Sequence, residues 1–163
     1  MSPKTEQLQI RVSRAQKAAI RRLARRAGRT VSSYVLARVL PEGRMRFGGI
    51  LHALREDEEP RFALADLNDF LSGLLPHEIA DSVGDADLEG LTPHLRNTVA
   101  AMVEHAAWRM DVDPPSWAAD VEPLGEPHFA VPFPSLRPYL LRVSPVAFKR
   151  RNLFVDSTVG DRV

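Results

Sequence analysis

The stretch "QLQIRVS", residues 7–13, alternates apolar Leu8, Ile10 and Val12 with polar Gln7, Gln9 and Arg11. Alternation with a period of two predicts a β-strand that has one dry and one wet face. The sequence that follows is basic and helical, and it offers no second strand for this one to pair with. Ser13 and Gln16 have the S-x-x-Q spacing of a capping box, so a helix is expected to start there. Ala19, Ile20, Leu23, Ala24 and Ala27 follow helical spacing and form a narrow apolar stripe, and Arg21, Arg22, Arg25 and Arg26 lie mostly off it. Gly28 is placed to end the helix in a left-handed conformation. "RTVSSYVLARVLP" then predicts a second helix with Thr30 as N-cap, with Val31, Tyr34, Val35, Ala37 and Leu40 turned inward, and with Pro41 at or just past its end.

One strand and two helices in about 40 residues bury too little apolar surface to be stable alone. Two copies solve the problem. If the strands of two chains pair antiparallel, Leu8, Ile10 and Val12 of each, with Ile20, Leu23 and Val35, cover a shared four-helix core. Gln7, Gln9 and Arg11 of both chains then project from one two-stranded ribbon, which is a shape that fits the major groove of DNA. Glutamine can bond adenine, and arginine guanine, through paired hydrogen bonds. The missing strand is therefore expected from a second molecule, and the wet face is expected to read bases.

Residues 5 to 42 resemble the ribbon-helix-helix DNA-binding proteins of the Arc/MetJ/CopG type. The resemblance is carried by the alternating strand "QLQIRV", the basic first helix and the turn "GRTVSSYV". It implies that Gln7, Gln9 and Arg11 read the major groove. It also implies that the start of the second helix, at Thr30, Val31 and Ser32, holds a backbone phosphate, as helix N-termini hold anions. Tyr34 departs from the acidic or small residue that many relatives carry there, a change expected to alter packing. Arg14 and Arg29 flank the two helix starts, where a cation opposes the helix dipole. A phosphate nearby would account for both. Arg21, Arg22, Arg25 and Arg26 either solubilise a helix face or meet phosphate too.

The charge distribution agrees with a polyanion-binding head. Residues 1–49 carry a formal charge of +10 and the remaining residues −9, although the chain as a whole stands at +1. With 44% hydrophobic and 26% charged residues, the chain reads as a soluble globular protein. It has no cysteine, which excludes disulfides and thiolate metal sites and fits a reducing cytoplasm. No apolar run is long enough to span a membrane and the N-terminus lacks a signal-peptide core, so a cytoplasmic location is expected.

Beyond Pro41 the character changes. Residues 44–62 read as an acidic linker with a short helix from Ile50 to Arg55, ending in the run Glu56-Asp57-Glu58-Glu59-Pro60. "FALADLNDFLSGLLP" places Leu64, Leu67, Phe70, Leu71 and Leu74 at helical intervals. "TPHLRNTVAAMVEHAAWRM" opens with Thr92 as cap and Pro93 at the first helical position. The tail is proline-rich, yet Trp117, Phe129, Phe133, Tyr139, Phe148 and Phe154 need burial. Short helices are expected at Pro134–Leu141 and Pro145–Arg151, followed by a strand or extended arm in "NLFVDSTV".

No catalytic constellation emerges. The five histidines are scattered without metal-ligand spacing, Glu104-His105 reads as a surface pair, and no P-loop, dinucleotide fingerprint or nucleophile elbow is present. No enzyme activity, metal or cofactor is expected. Phe148, Lys149, Arg150, Arg151 and Phe154 stand out as an anchor for a protein partner.

The expected architecture is mainly α. It comprises a ribbon-helix-helix DNA-binding and dimerisation domain at 1–43, the linker at 44–62, and a helical partner-binding domain at 63–163. Short DNA-binding heads of this family with such extensions are often antitoxins that repress their own operons and neutralise a toxin. "SLRPYLLRVSPVAFKRRNLFVDSTV" also resembles the tails of antitoxins encoded beside nucleotidyltransferase-type toxins. The alternative is a transcriptional repressor whose C-terminal domain senses a ligand or oligomerises.

Overall fold

The computed structural model describes residues 9–26, 28–39, 42–56 and 59–156, and it is mainly α-helical. The chain divides into two compact units, Met1–Pro41 and Glu42–Val163.

In the first unit, helix α1 spans Arg14–Arg26 and α2 spans Val31–Val39, and the two pack on each other. The capping box forms as the spacing requires. Ser13 Oγ accepts from the Gln16 N–H at 3.2 Å and Gln16 Oε1 accepts from the Ser13 N–H at 2.8 Å. Gly28 has φ +63°, and the N–H groups of Gly28 and Arg29 close the helix onto the carbonyls of Arg25 and Ala24. That is the Schellman pattern, and only glycine adopts it without a Cβ penalty. Among the residues of this unit whose exposure is described, only Ala24 is buried. Gln9 to Ser13 precede α1 without ladder hydrogen bonds, and the earlier part of the expected strand, with Gln7 and Leu8, lies outside the described residues.

The second unit has a substantial core. Helix α3 spans Glu42–Glu56, α4 Pro60–Gly73, α5 Ile79–Val83 and α6 Pro93–Arg109. Then come α7 (Ser116–Asp120), strand β1 (His128–Phe129), α8 (Arg137–Val143), α9 (Val146–Lys149) and strand β2 (Leu153–Phe154), with 3-10 turns at Pro76–Glu78 and Pro134–Leu136. The two strands pair in parallel, His128 opposite Leu153 and Phe129 opposite Phe154.

Residues 44–62, expected as a linker, instead hold most of α3 and the start of α4. The reason is visible in α3 itself. Phe47, Ile50, Leu51 and Leu54 recur at helical spacing and are all buried. Complete burial of one such side chain contributes about 1.5–3 kcal/mol, more than the roughly 1 kcal/mol that Gly48 or Gly49 costs a helix. The boundary between the units accordingly falls at Pro41/Glu42.

Helix α6 is the spine of this unit. Thr92 caps it, its Oγ1 accepting from the Leu95 N–H at 3.3 Å, with Pro93 at the first helical position. Asn97, Val99 to Glu104 and Ala107 are all buried, so the helix is covered on most of its circumference. Its Val99, Ala101, Met102 and Val103 share one buried apolar cluster with Phe47, Leu67, Phe70, Phe148 and Leu153. Among the described residues no helix is long and apolar enough to cross a membrane.

Candidate nucleic-acid interface

The basic surface of the first unit is built by helical geometry. From Arg14 onward, each residue turns by about 100°, so Arg14, Arg21, Arg22, Arg25 and Arg26 gather on the side away from Ile20, Leu23 and Ala24, with Lys17 at the edge beside Ala24. With Ala18 they line one shallow surface groove. The helix contains no acidic residue. Lys17–Arg21, Arg21–Arg25 and Arg22–Arg26 are like-charged pairs one turn apart, each costing a few tenths of a kcal/mol.

The start of α2 is a second feature. Thr30 Oγ1 accepts from the Ser33 N–H at 3.1 Å and the Thr30 carbonyl from the Tyr34 N–H at 2.8 Å. Helix geometry leaves the first N–H groups, those of Val31 and Ser32, without intrahelical acceptors. No acidic residue stands in this first turn, and exposed Arg29 precedes it. Partial positive charge, free donors and a guanidinium therefore coincide where an anion would sit.

Gln9 and Arg11 are exposed, and so are their supposedly dry neighbours, Ile10 at 63% and Val12 at 44%. Leu23, Val31 and Leu36 are exposed as well, while Ile20 and Val35 are half-buried. Within one chain the expected dimer core is thus largely uncovered.

The anchor expected at residues 148–154 requires correction. Phe148 and Phe154 are buried, and Phe154 stacks on Phe129 at a ring separation of 4.9 Å. Arg151 is buried with them. It donates to Glu104 Oε2 at 2.9 Å and to the carbonyls of Ala118 and Val121 at 2.6 and 3.2 Å. Lys149 Nζ donates to the Arg142 carbonyl at 2.8 Å. Arg150 keeps an exposed side chain, but it too binds Glu104, through Oε1 at 2.9 Å, and lies over the Trp108 ring. The two phenylalanines need the interior, Arg151 is carried in between them, and Glu104 neutralises it there. Glu104 is accordingly a buried ion-pair partner and not half of a surface pair. Its signal in the sequence is a lone carboxylate amid the apolar positions Val99 to Ala107.

Two histidines distant in sequence also meet. The rings of His94 on α6 and His128 on β1 lie edge to face, 4.2 Å between centroids. Burial, and secondly the charge of His128, hold the His94 pKa below its ordinary 6.5. Among the described residues no group of three or more histidine or acidic side chains is placed to hold a metal ion.

A family model, NikA-like, described as mobilization protein NikA, matches residues 2–43. The matched segment is the first unit almost residue for residue, and about a quarter of the chain. No curated protein and no solved structure matches the chain.

Proposed function

We propose that the chain is a dimeric, sequence-specific DNA-binding protein, with Met1–Pro41 as a ribbon-helix-helix head. Gln7, Gln9 and Arg11 of two chains read bases from a shared β-ribbon in the major groove, and Arg14, Arg29 and the start of α2 hold phosphates. The carrying observation is the uncovered apolar surface of the head: among its residues whose exposure is described one, Ala24, is buried, beside exposed Ile10, Val12, Leu23 and Leu36. A second copy would cover that apolar surface and leave the glutamines and arginines outward. The match of this segment to a mobilization-protein family supports a DNA-binding head.

The same match favours a role at DNA that is being mobilised, with Glu42–Val163 presenting the head to other proteins on that DNA. The second reading is an antitoxin, in which this unit covers a toxin of nucleotidyltransferase type and the head represses its own operon. It rests on the sequence resemblance, since Phe148, Arg151 and Phe154 are occupied in the fold. A neighbouring gene whose product alone arrests growth would favour the antitoxin. A repressor sensing a ligand would instead change its DNA affinity with a small molecule.

The test of the common claim is selection of the full chain on random duplex DNA. A repeated, two-fold-related motif is expected. Enrichment without any base preference would refute it.

A further inference from the structure

We propose that the arginine face of α1 is a second, sequence-independent contact for duplex DNA, gripping phosphates beyond those held at the start of α2. The inference rests on the DNA-binding reading and extends it to Arg21, Arg22, Arg25 and Arg26, with Lys17.

Four observations carry it. First, density: six cations lie on a helix of 13 residues. At a rise of about 1.5 Å per residue that is one charge per roughly 3 Å, against one phosphate per about 1.7 Å of duplex axis. Second, the charges are uncompensated: the helix has no acidic residue, and among the described residues none of the six is ion-paired. A face that serves only solubility does better with both signs interspersed, because like charges one turn apart repel. Third, composition: five of the six are arginine, whose planar fork grips phosphate through two parallel hydrogen bonds, where lysine would solubilise equally well. Fourth, shape: Arg14, Lys17, Arg21, Arg22, Arg25 and Arg26 line one shallow groove with Ala18, and the five arginines turn away from Ile20 and Leu23. A second chain covering those two residues would leave the groove open.

The occupant is DNA, because this face belongs to the same 41-residue unit as the base-reading segment and shares its sign. An acidic protein is the alternative that the test distinguishes.

The experiment measures affinity of the full chain for its selected duplex, with flanks of about ten base pairs, across a salt series. Arg21→Gln/Arg25→Gln is expected to flatten the plot of log affinity against log salt by about 0.9 for each phosphate no longer neutralised, and so by about 2 to 4 for a dimer. Base preference should not change, and affinity near physiological salt should fall at least tenfold. Arg21→Lys/Arg25→Lys should keep the slope, and Arg142→Gln on the other unit should leave it untouched. A slope within about 0.5 of the parent overturns the proposal and points to an acidic protein as the occupant. If the first variant loses helix by circular dichroism, Arg22→Gln/Arg26→Gln decides by the same criterion. A parent chain that binds no DNA overturns both this inference and the reading beneath it, whereas a parent with a base preference and a variant whose slope is unmoved overturn this inference alone.

Discussion

Arg151 Nη2 lies 2.9 Å from Glu104 Oε2, with both side chains almost wholly out of solvent (6% and 7% exposed). The pair joins the turn after α9 to the middle of α6, 47 residues earlier in the chain. Removing one member of such a pair strands a buried charge, which costs about 3–5 kcal/mol. Glu104→Met, which leaves Arg151 buried without a countercharge, should lower the stability of the second unit by that amount. Arg150→Met, at a side chain 61% exposed, should cost below about 1 kcal/mol. Both tryptophans, Trp108 and Trp117, belong to this unit, so urea unfolding followed by their fluorescence reports it selectively. Equal losses for the two variants would contradict the assignment.

Burial of His94, and secondly its contact with His128, makes stability depend on pH. His94 holds its proton less readily folded than unfolded, so the unfolded chain binds more protons as pH falls through 6.5. Its contribution is therefore complete above that value, declines as pH drops toward the lowered folded pKa, and is constant below it. The urea midpoint should fall between pH 7.5 and 5.5. His94→Gln should remove this part of the drop, and His128→Gln should shrink it. Unchanged pH profiles in both variants would refute the pair's role.

Helices α3 and α5 approach closely at Gly43. A Cβ there would stand 2.1 Å from Ser82 Oγ and 2.8 Å from Ser82 Cβ. The hydroxyl can rotate away, but the Cβ cannot. Gly43→Ala should cost about 1–3 kcal/mol, and adding Ser82→Ala should not restore the loss. Thermal unfolding at the parent temperature would show that the helices separate freely.

The two proposed classes of DNA contact should separate in binding assays. Arg11→Ala should cost about 1–3 kcal/mol at one base position per half-site and relax preference there. Arg29→Ala should weaken all sequences alike and flatten the salt dependence by about 0.9 for each phosphate that the arginine neutralises. If Arg11→Ala weakens every sequence equally, that side chain holds backbone and not a base.

What the sequence makes legible is local. Ser13 and Gln16, Gly28, and Thr92 with Pro93 act over three or four residues, and each does in the structure what its spacing implies. Helix α3 is longer than its sequence suggests, because Gly48, Gly49 and the acidic run after Leu54 obscure the spacing of Phe47, Ile50, Leu51 and Leu54. The fate of Arg150 and Arg151 leaves no local trace. A basic triplet between phenylalanines reads as an exposed anchor until a carboxylate from a distant helix is brought against it. The proposed DNA-reading face rests on the alternation of residues 7–12, of which Gln7 and Leu8 lie outside the described residues; what the structure adds is the exposure of Ile10, Val12, Leu23 and Leu36.

The most direct measurement is isotope-filtered nuclear Overhauser spectroscopy on a mixture of labelled and unlabelled full-length chains. Interchain contacts are expected between backbone protons of residues 8–12 in an antiparallel register, with the Gln9 and Arg11 side chains outside the ribbon. A segment whose contacts all lie within its own chain, or a monomer at the concentrations that bind DNA, would contradict the shared ribbon.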